Sequence, residues 1–396
     1  MVDVRPLRVP AFRRQLLGHG TSYLGSMITM VAVAVQVYEL SRSSLAVGMV
    51  GLAGLAPLVL FGIYGGAIAD AVDRRTLYLV ASLGTWAVTV GLLVQTLLAV
   101  RSVALILALV AVQAAFFALS SAARGAIIPR LVPRELVASA NALMFVATNV
   151  GLVVGPLLGG VLVTYGSGYA YGVDAVVFTA ALYAAARLPR LPPEGEPGRA
   201  GFAAIRTGFT YVGARPVLVM SFVVDILAMV LAMPRALFPE VAADRWGGDV
   251  GPLYAAIAIG AIVAGLAGGW IGRVVRQGRA LVLAVVVWGL AIAVAGLAGH
   301  LWLAVLCLAV AGAGDFVSGV YRLTILQSYA SDEFRGRLQG MLVVVSAGGP
   351  RLGDLRAGAV GEWLDPTLSW VGGGVVCAVL ALVVGRCVRL FWSYRI

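Results

Sequence analysis

The sequence contains no lysine. All 29 of its basic residues are arginine. A phosphate-cradling G-x-x-x-x-G-K-[ST] loop is therefore excluded, and with it ATP hydrolysis by that route. Charge of either sign is scarce, at 12% of residues against about 25% in soluble domains. Hydrophobic residues make up 61% of the 396 positions, and the mean hydropathy is +0.98. A chain with that balance cannot cover its surface with polar groups and reads as a polytopic membrane protein. Cysteine is rare too. Cys307 and Cys377 lie in apolar runs and Cys387 near the end of the chain, without a C-x-x-C pair, so packing rather than a disulfide framework is expected. The two histidines, His19 and His300, stand alone in the sequence, and no H-E-x-x-H or G-x-S-x-G occurs. Neither an enzyme nor a metal or cofactor is indicated.

What the chain does have is long apolar runs. A spanning helix needs about 20 such residues. Breaks of charge, proline or glycine leave twelve runs, near 15–40, 45–69, 76–99, 103–124, 135–164, 169–188, 215–239, 251–272, 280–299, 301–323, 337–362 and 367–390. The net charge of +11 suits nucleic acid less well than it suits a membrane protein that holds arginine in its cytoplasmic loops. With the N-terminus taken as inside, twenty-three arginines fall in inside segments and four, Arg42, Arg101, Arg235 and Arg245, in outside ones. Arg351 and Arg356 fall within the eleventh run. That asymmetry predicts both termini on the cytoplasmic side. The opening segment with Arg5, Arg8, Arg13 and Arg14 leads into a run long enough to span, without a small-residue cleavage site. An uncleaved first helix is expected.

The longest inside break, L-P-R-L-P-P-E-G-E-P-G-R-A-G from Leu188 to Gly201, divides the runs six and six. The expected organisation is an N-terminal six-helix bundle over 1–188, a cytoplasmic linker over 189–213 and a C-terminal bundle over 214–396. The second run ends G62-x-x-G65-G66 and the eighth ends G265-x-x-G268-G269, without a gap between the two alignments. Each copy closes the second helix of its half, as a parallel repeat would.

Immediately after the first copy, Asp70, Asp73, Arg74 and Arg75 put four charges within six residues. The stretch Gly66-x-x-x-Asp70-x-x-Asp73-Arg74-Arg75 resembles the loop between helices two and three of the major facilitator superfamily. The fifth run carries Gly151-x-x-x-Gly155-Pro156-x-x-Gly159-Gly160, which is similar to the Gly-Pro motif of the exporter branches. Q-V-Y-E-L-S (36–41), R-G-A-I-I-P-R-L-V-P (124–133), M-P-R-A-L-F-P-E-V-A (233–242), G-R-L-Q-G (336–340) and A-G-G-P-R-L-G-D-L-R-A-G (347–358) resemble the branch of the enterobactin (siderophore) exporter and macrolide efflux proteins. The resemblance covers nearly the whole chain. It departs at Ala71, where the loop motif is normally basic, and at Ser26 after Gly25, where many relatives carry Asp or Asn. It departs again in the fourth run, which has Arg124 at its cytoplasmic end rather than a mid-helix arginine.

The resemblance implies an all-α membrane protein of twelve transmembrane helices in two pseudo-symmetric six-helix bundles. It also implies that Asp70 meets the N-terminus of the eleventh helix, near Ser331, Asp332 and Glu333, where the partial positive charge of a helix end favours a carboxylate. Arg74 and Arg75 anchor the topology in either case.

Charged residues inside runs cost about 2.5–3.5 kcal/mol each on insertion scales. Asp225 lies near mid-depth of the seventh run, with no arginine within a turn in sequence. Asp315 lies in the tenth, with Arg322 seven residues on along the same face. Both are candidates for proton coupling, and for Asp315 a structural pair with an arginine is the competing reading. Arg351, Asp354, Gly358 and Glu362 form one polar stripe of the eleventh run, in which Arg351 and Asp354 can pair within the helix. Arg356 points away from that stripe, towards the outer interface. Gln36, Gln113, Phe116, Phe117, Met229, Met233 and Trp288 can line a cavity or simply pack.

The function expected is export of an amphiphilic small molecule, a siderophore or an antibiotic, through the inner membrane by proton antiport with alternating access. Its partners are the substrate, protons and the lipid bilayer, with no nucleic acid, and a monomer is expected. An importer or facilitator of the same fold is the alternative. A receptor without transport activity would carry a large soluble region, which the loops do not supply.

Overall fold

The computed structural model describes residues 3–189, 192, 210–213, 215–329 and 332–395. Among them the apolar runs are helices. In the first half these are α1 (Pro10–Ser41), α2 (Ser44–Ala71), α3 (Arg74–Leu97), α4 (Val103–Leu131), α5 (Val137–Thr164) and α6 (Ser167–Ala186). The second half holds α7 (Pro216–Ala232), the short α8 (Phe238–Arg245), α9 (Gly251–Leu266), α10 (Gln277–Gly296), α11 (Leu301–Tyr329), α12 (Asp332–Trp363), α13 (Pro366–Cys387) and the terminal turn α14 (Arg389–Trp392). Among the described residues ten helices are long and apolar enough to cross a membrane. The other two expected spans are α9, with only 16 residues, and the charge-bearing α12.

The chain divides into two compact units. One is Met1–Ser41 with Ala53–Gly201, the other Arg42–Leu52 with Phe202–Ile396. In the first, α1 packs between α5 and α6, and α3 between α4 and α6. In the second, α7 packs on α12 and α13, and α10 on α11 and α13. Span for span this is one pattern used twice. The first turns of α2 belong to the second unit. There the Ser44 hydroxyl donates to the Glu240 carboxylate, and Gly48 and Gly51 lie against the backbone of α12.

The two copies of the glycine repeat differ locally. The first runs on inside α2 to Ala71. The second leaves the α-helix at Leu266 and tightens into a 3-10 turn over Gly268–Arg273. Gly268, Gly269 and Gly272 crowd that turn, and each glycine weakens an α-helix by roughly 0.5–1 kcal/mol relative to alanine.

Large apolar side chains point outward as well as inward. Val176 is 73% exposed and Leu306 61%, as expected where lipid is the solvent. Exposed aromatics sit at both ends of the spans, Tyr165, Tyr169, Trp302 and Trp363 at ends that the arginine asymmetry predicts to be outer and Tyr183 and Trp270 at ends it predicts to be inner.

Between α1 and α5 the contact is close because α5 offers glycine. Gly151, Gly155 and Gly159 fall four apart, on one face. A Cβ added at Gly151 would lie 2.8 Å from the Tyr23 ring and one at Gly159 3.1 Å from Val31. One at Gly155 would overlap Met27. Small residues let helices approach in lipid, where dispersion rather than water drives the packing. Gly155→Leu is therefore expected to lower stability by about 1–3 kcal/mol or more, as overpacking does. Thermal unfolding in detergent reads this, and an unchanged midpoint contradicts it.

Helix starts are capped where the sequence offers an acceptor. Asp73 accepts from the Thr76 amide at 2.8 Å at the start of α3, and Ser102 from the Leu105 amide at 3.3 Å at the start of α4. Asp365 accepts from the Leu368 amide at 2.8 Å ahead of α13. That amide, first among its neighbours, holds the exposed Asp365 carboxyl below its ordinary value of 3.8. A lowered folded-state value means that the cap stabilises above the unfolded value and fades as pH falls through the folded one. Asp365→Ala is expected to cost about 1 kcal/mol at neutral pH, with the difference from the parent vanishing in strong acid. A midpoint difference that persists there contradicts the assignment.

Candidate functional site

Each unit carries polar side chains in its interior. In the second, Asp225 of α7 forms an ion pair with Arg322 of α11. The two side chains are 2% and 10% exposed, so the pair is inside the bundle. Asp225 Oδ2 and Arg322 Nε have no further partner, which leaves desolvation incompletely offset. The sequence alone predicts an unpaired Asp225, because no arginine lies near it in α7. Its partner comes instead from another helix. The sequence places Arg322 among the inside arginines and offers it to Asp315 along the same helix. It is buried, and it is taken by Asp225. Asp315 stays half-buried, without an ion pair among the described residues.

The polar stripe of α12 is also rearranged. Arg351 donates to the Ala347 carbonyl at 2.6 Å rather than bridging to Asp354, whose Oδ1 is buried without a partner. Glu362 is exposed. Gly358 lies against the Ser44 backbone. Arg356, expected to reach outwards, turns inwards instead. It donates to the carbonyls of Val230 at 3.2 Å and Ser369 at 3.0 Å, and to that of Leu231. The reason is in the sequence of α7. The Val230 carbonyl would normally receive the amide of residue 234, and that residue is Pro234, which has none. Trp288 packs fully buried, with its indole N–H on the Ala228 carbonyl at 3.3 Å. Met229 and Met233 fill the space over Gly349 and Gly353. These three pack.

The first unit holds a file of polar groups that the sequence reading largely missed. His19 is not isolated. Its Nε2 meets the Thr148 hydroxyl at 2.9 Å and its Nδ1 the Arg124 guanidinium at 3.0 Å. Further along α1, Thr29 donates to Asp174 Oδ2 at 2.5 Å, and Thr89 of α3 donates to the same oxygen at 3.3 Å. Gln113 of α4 reaches the Thr89 hydroxyl at 3.4 Å. A turn beyond, the Tyr171 hydroxyl and Gln95 Nε2 converge on Gln36 Oε1 at 2.7 and 3.2 Å. Asp174 has no exposed surface. It escaped notice because one Asp does not break an apolar run of that length. The signal available was a single Asp within an otherwise uncharged helix.

The loop residues have local roles. Asp73 caps α3, and Arg75 donates to the Ala186 carbonyl at 2.6 Å. Gly66 and Asp70 lie in α2, but their side chains are outside the described residues, as are Ser331 and the side chains of Asp332 and Glu333. In the Gly-Pro motif, Gly151, Gly155, Pro156, Gly159 and Gly160 are all buried.

Neither polar cluster has the geometry of a nucleophile and its base. Both look like charge and hydrogen-bonding capacity stored inside a helical bundle, which in a membrane protein marks a path or site for solutes or ions. The chain is 31% identical over 384 residues to the enterobactin exporter EntS of Escherichia coli O1:K1, covering 95% of this chain and 92% of that one. The enterobactin exporter of Shigella boydii serotype 18 matches with the same identity and coverage. Among solved structures, the nucleoside transporter NupG superposes with a TM-score of 0.78 at 13% identity, over 97% of this chain and 100% of its own. A bacterial homologue of the lysosomal transporter Spinster, captured inward-facing and unoccupied, gives 0.71 at 17% identity over 98% of both chains. These relatives are transporters, and this chain is not an enzyme. The family described as transmembrane secretion effector matches residues 2–393, and the chain belongs to it, as a multi-pass membrane protein with the twelve-helix, two-bundle fold of the major facilitator superfamily.

Proposed function

We propose that the chain is a proton-driven exporter. It carries an amphiphilic small molecule, a siderophore or a drug-like compound, out across the inner (plasma) membrane by alternating access. The observation that carries this reading is the identity to an enterobactin exporter along 95% of the chain. The interior charges of the second unit support it. Asp225 and Arg322 neutralise each other in the apolar interior. A proton arriving at Asp225 breaks the pair and leaves the Arg322 charge free for an anionic oxygen of the substrate. Substrate departure and proton release then restore the pair. Asp315, on the same helix as Arg322 and without an ion pair among the described residues, is the second coupling candidate.

The test uses inside-out membrane vesicles containing the full chain, energised acid-inside. Enterobactin and, separately, erythromycin are offered outside. Accumulation against the concentration gradient, collapsed by a protonophore, is the expected result. Equilibration that a protonophore does not touch indicates a facilitator and overturns the antiport. No uptake of either compound overturns the substrate class.

A further inference from the structure

In the first unit, one carboxylate has no counter-charge. Asp174 of α6 is fully buried. Oδ2 takes the hydroxyls of Thr29 and Thr89. Oδ1 has no hydrogen-bond partner and occupies the space that a side chain at Gly25 would fill, since a Cβ there would collide with it. Among the described residues no cation lies within ion-pair distance.

The surroundings are not a closed apolar wall. A cavity of about 20 Å³ lies among α1, α3, α4 and α6, enough for one water molecule. His19 and Arg124 line one end. Ser26, Thr85 and Phe178 line the other. Each of those three stands three or four residues from a member of the Asp174 cluster: Ser26 from Thr29, Thr85 from Thr89, Phe178 from Asp174. Residues at that spacing are neighbours on a helix face. The cavity therefore ends one helical turn from the carboxyl.

The ionisable groups on the packed helices are few. On the cavity side α1 presents His19 and Tyr23, α3 presents Tyr78, and α4 presents Arg124, which is bonded to His19. On the other side lie Tyr171 of α6 itself and, past Gln36, Tyr38 and Glu39 of α1. Helix α5 carries no ionisable residue. His19 is ten residues from Thr29, about 15 Å along the axis. The carboxylate form of Asp174 is thus desolvated, with two hydroxyls and no cation to offset it. Binding a proton removes that cost, and the unpartnered Oδ1 is the atom free to take it.

We propose that Asp174 is a proton-binding site of the transport cycle, loaded and emptied through the adjoining water-sized cavity. The proton passes from cavity water to Oδ1, and the reverse step returns it. The proposal rests on the antiport reading above and adds a site in the opposite unit from Asp225 and Asp315.

The experiment is infrared difference spectroscopy of the full chain in liposomes, stepped between acid and alkaline pH, in choline chloride and then in sodium chloride. No substrate is needed. One component of the protonated-carboxyl C=O absorption is expected in the parent and in Asp315→Asn and is expected to be lost in Asp174→Asn, while the components of the other carboxyls stay. If Asp174→Asn does not fold, Thr29→Val decides. It removes one hydrogen bond from the carboxyl, so that component must change frequency. An absorption in which both variants leave every component untouched overturns the proposal, and so does loss of that component in sodium, which would make the site one for a metal cation. Gradient-driven export by the same liposomes separates the two readings. An Asp174-dependent band with no protonophore-sensitive export sinks the antiport and, with it, the place of this site in the cycle. Antiport with an Asp174-independent band sinks this site alone.

Discussion

Asp225→Ala is expected to destabilise the protein by about 3–5 kcal/mol, the usual result of leaving one member of a buried ion pair without the other. The size follows from placement. Asp225 is 2% exposed, and its neighbours in α7 are Phe222, Val224 and Ala228, all buried. Removing the carboxylate strands the Arg322 guanidinium in that interior. Arg322→Met strands the carboxylate and costs a similar amount. The double variant Asp225→Ala with Arg322→Met leaves no charge to desolvate, and thermal stability should return to near the parent value. That triplet of midpoints separates a pair from two independent residues. If the double variant is as unstable as the sum of the singles, the ion pair is not the reason for the loss. Transport then decides between structure and coupling. A pair that only holds helices together predicts export restored with stability. The coupling role predicts a folded double variant that no longer accumulates substrate in vesicles energised acid-inside.

The contrast between Asp225 and Asp174 shows how far the sequence could be read. Run length and arginine asymmetry locate the spans, because the membrane imposes both. The repeat of glycines at the ends of α2 and α9 marks two halves, and each half packs its helices in the same pairs. The glycines of α5 could be singled out as a motif, and their close approach to α1 is what a small-residue face does in lipid. Pairing between helices could not be read. Arg322 and Asp315 share a helix and a face, but the partner of Arg322 sits on α7. His19 appeared isolated because Arg124 and Thr148 come from other helices. Asp174 was hidden for a different reason. A single carboxylate hardly moves the mean hydropathy of a twenty-residue helix, although it is the costliest residue in it. For the eighth span the apolar run predicts one helix over 251–272. Glycine crowding ends the α-helix at Leu266, and a 3-10 turn completes the segment.

The break at the end of α7 carries the second large effect. Arg356→Met is expected to destabilise the second unit by several kcal/mol, at about 1–3 kcal/mol for each buried carbonyl left unsatisfied. Two carbonyls at the broken end of α7, those of Val230 and Leu231, depend on that guanidinium, and it also reaches the Ser369 carbonyl within α13. The first is a consequence of Pro234, which ends α7 and cannot supply the amide that the Val230 carbonyl would receive in a continuing helix. The planar fork of arginine reaches α7 and α13 at once, whereas an ammonium is a point donor. Arg356→Lys should therefore recover only part of the loss. Pro234→Ala gives the sharper control. Alone it disturbs a turn already satisfied by Arg356. In the Arg356→Met background it returns a backbone donor beneath the Val230 carbonyl, so the two changes should be less harmful together than their separate costs predict. Unfolding midpoints of the four proteins in detergent complete the cycle. Strict additivity would mean that Arg356 does not substitute for the missing amide, and its burial beside α7 would need another cause.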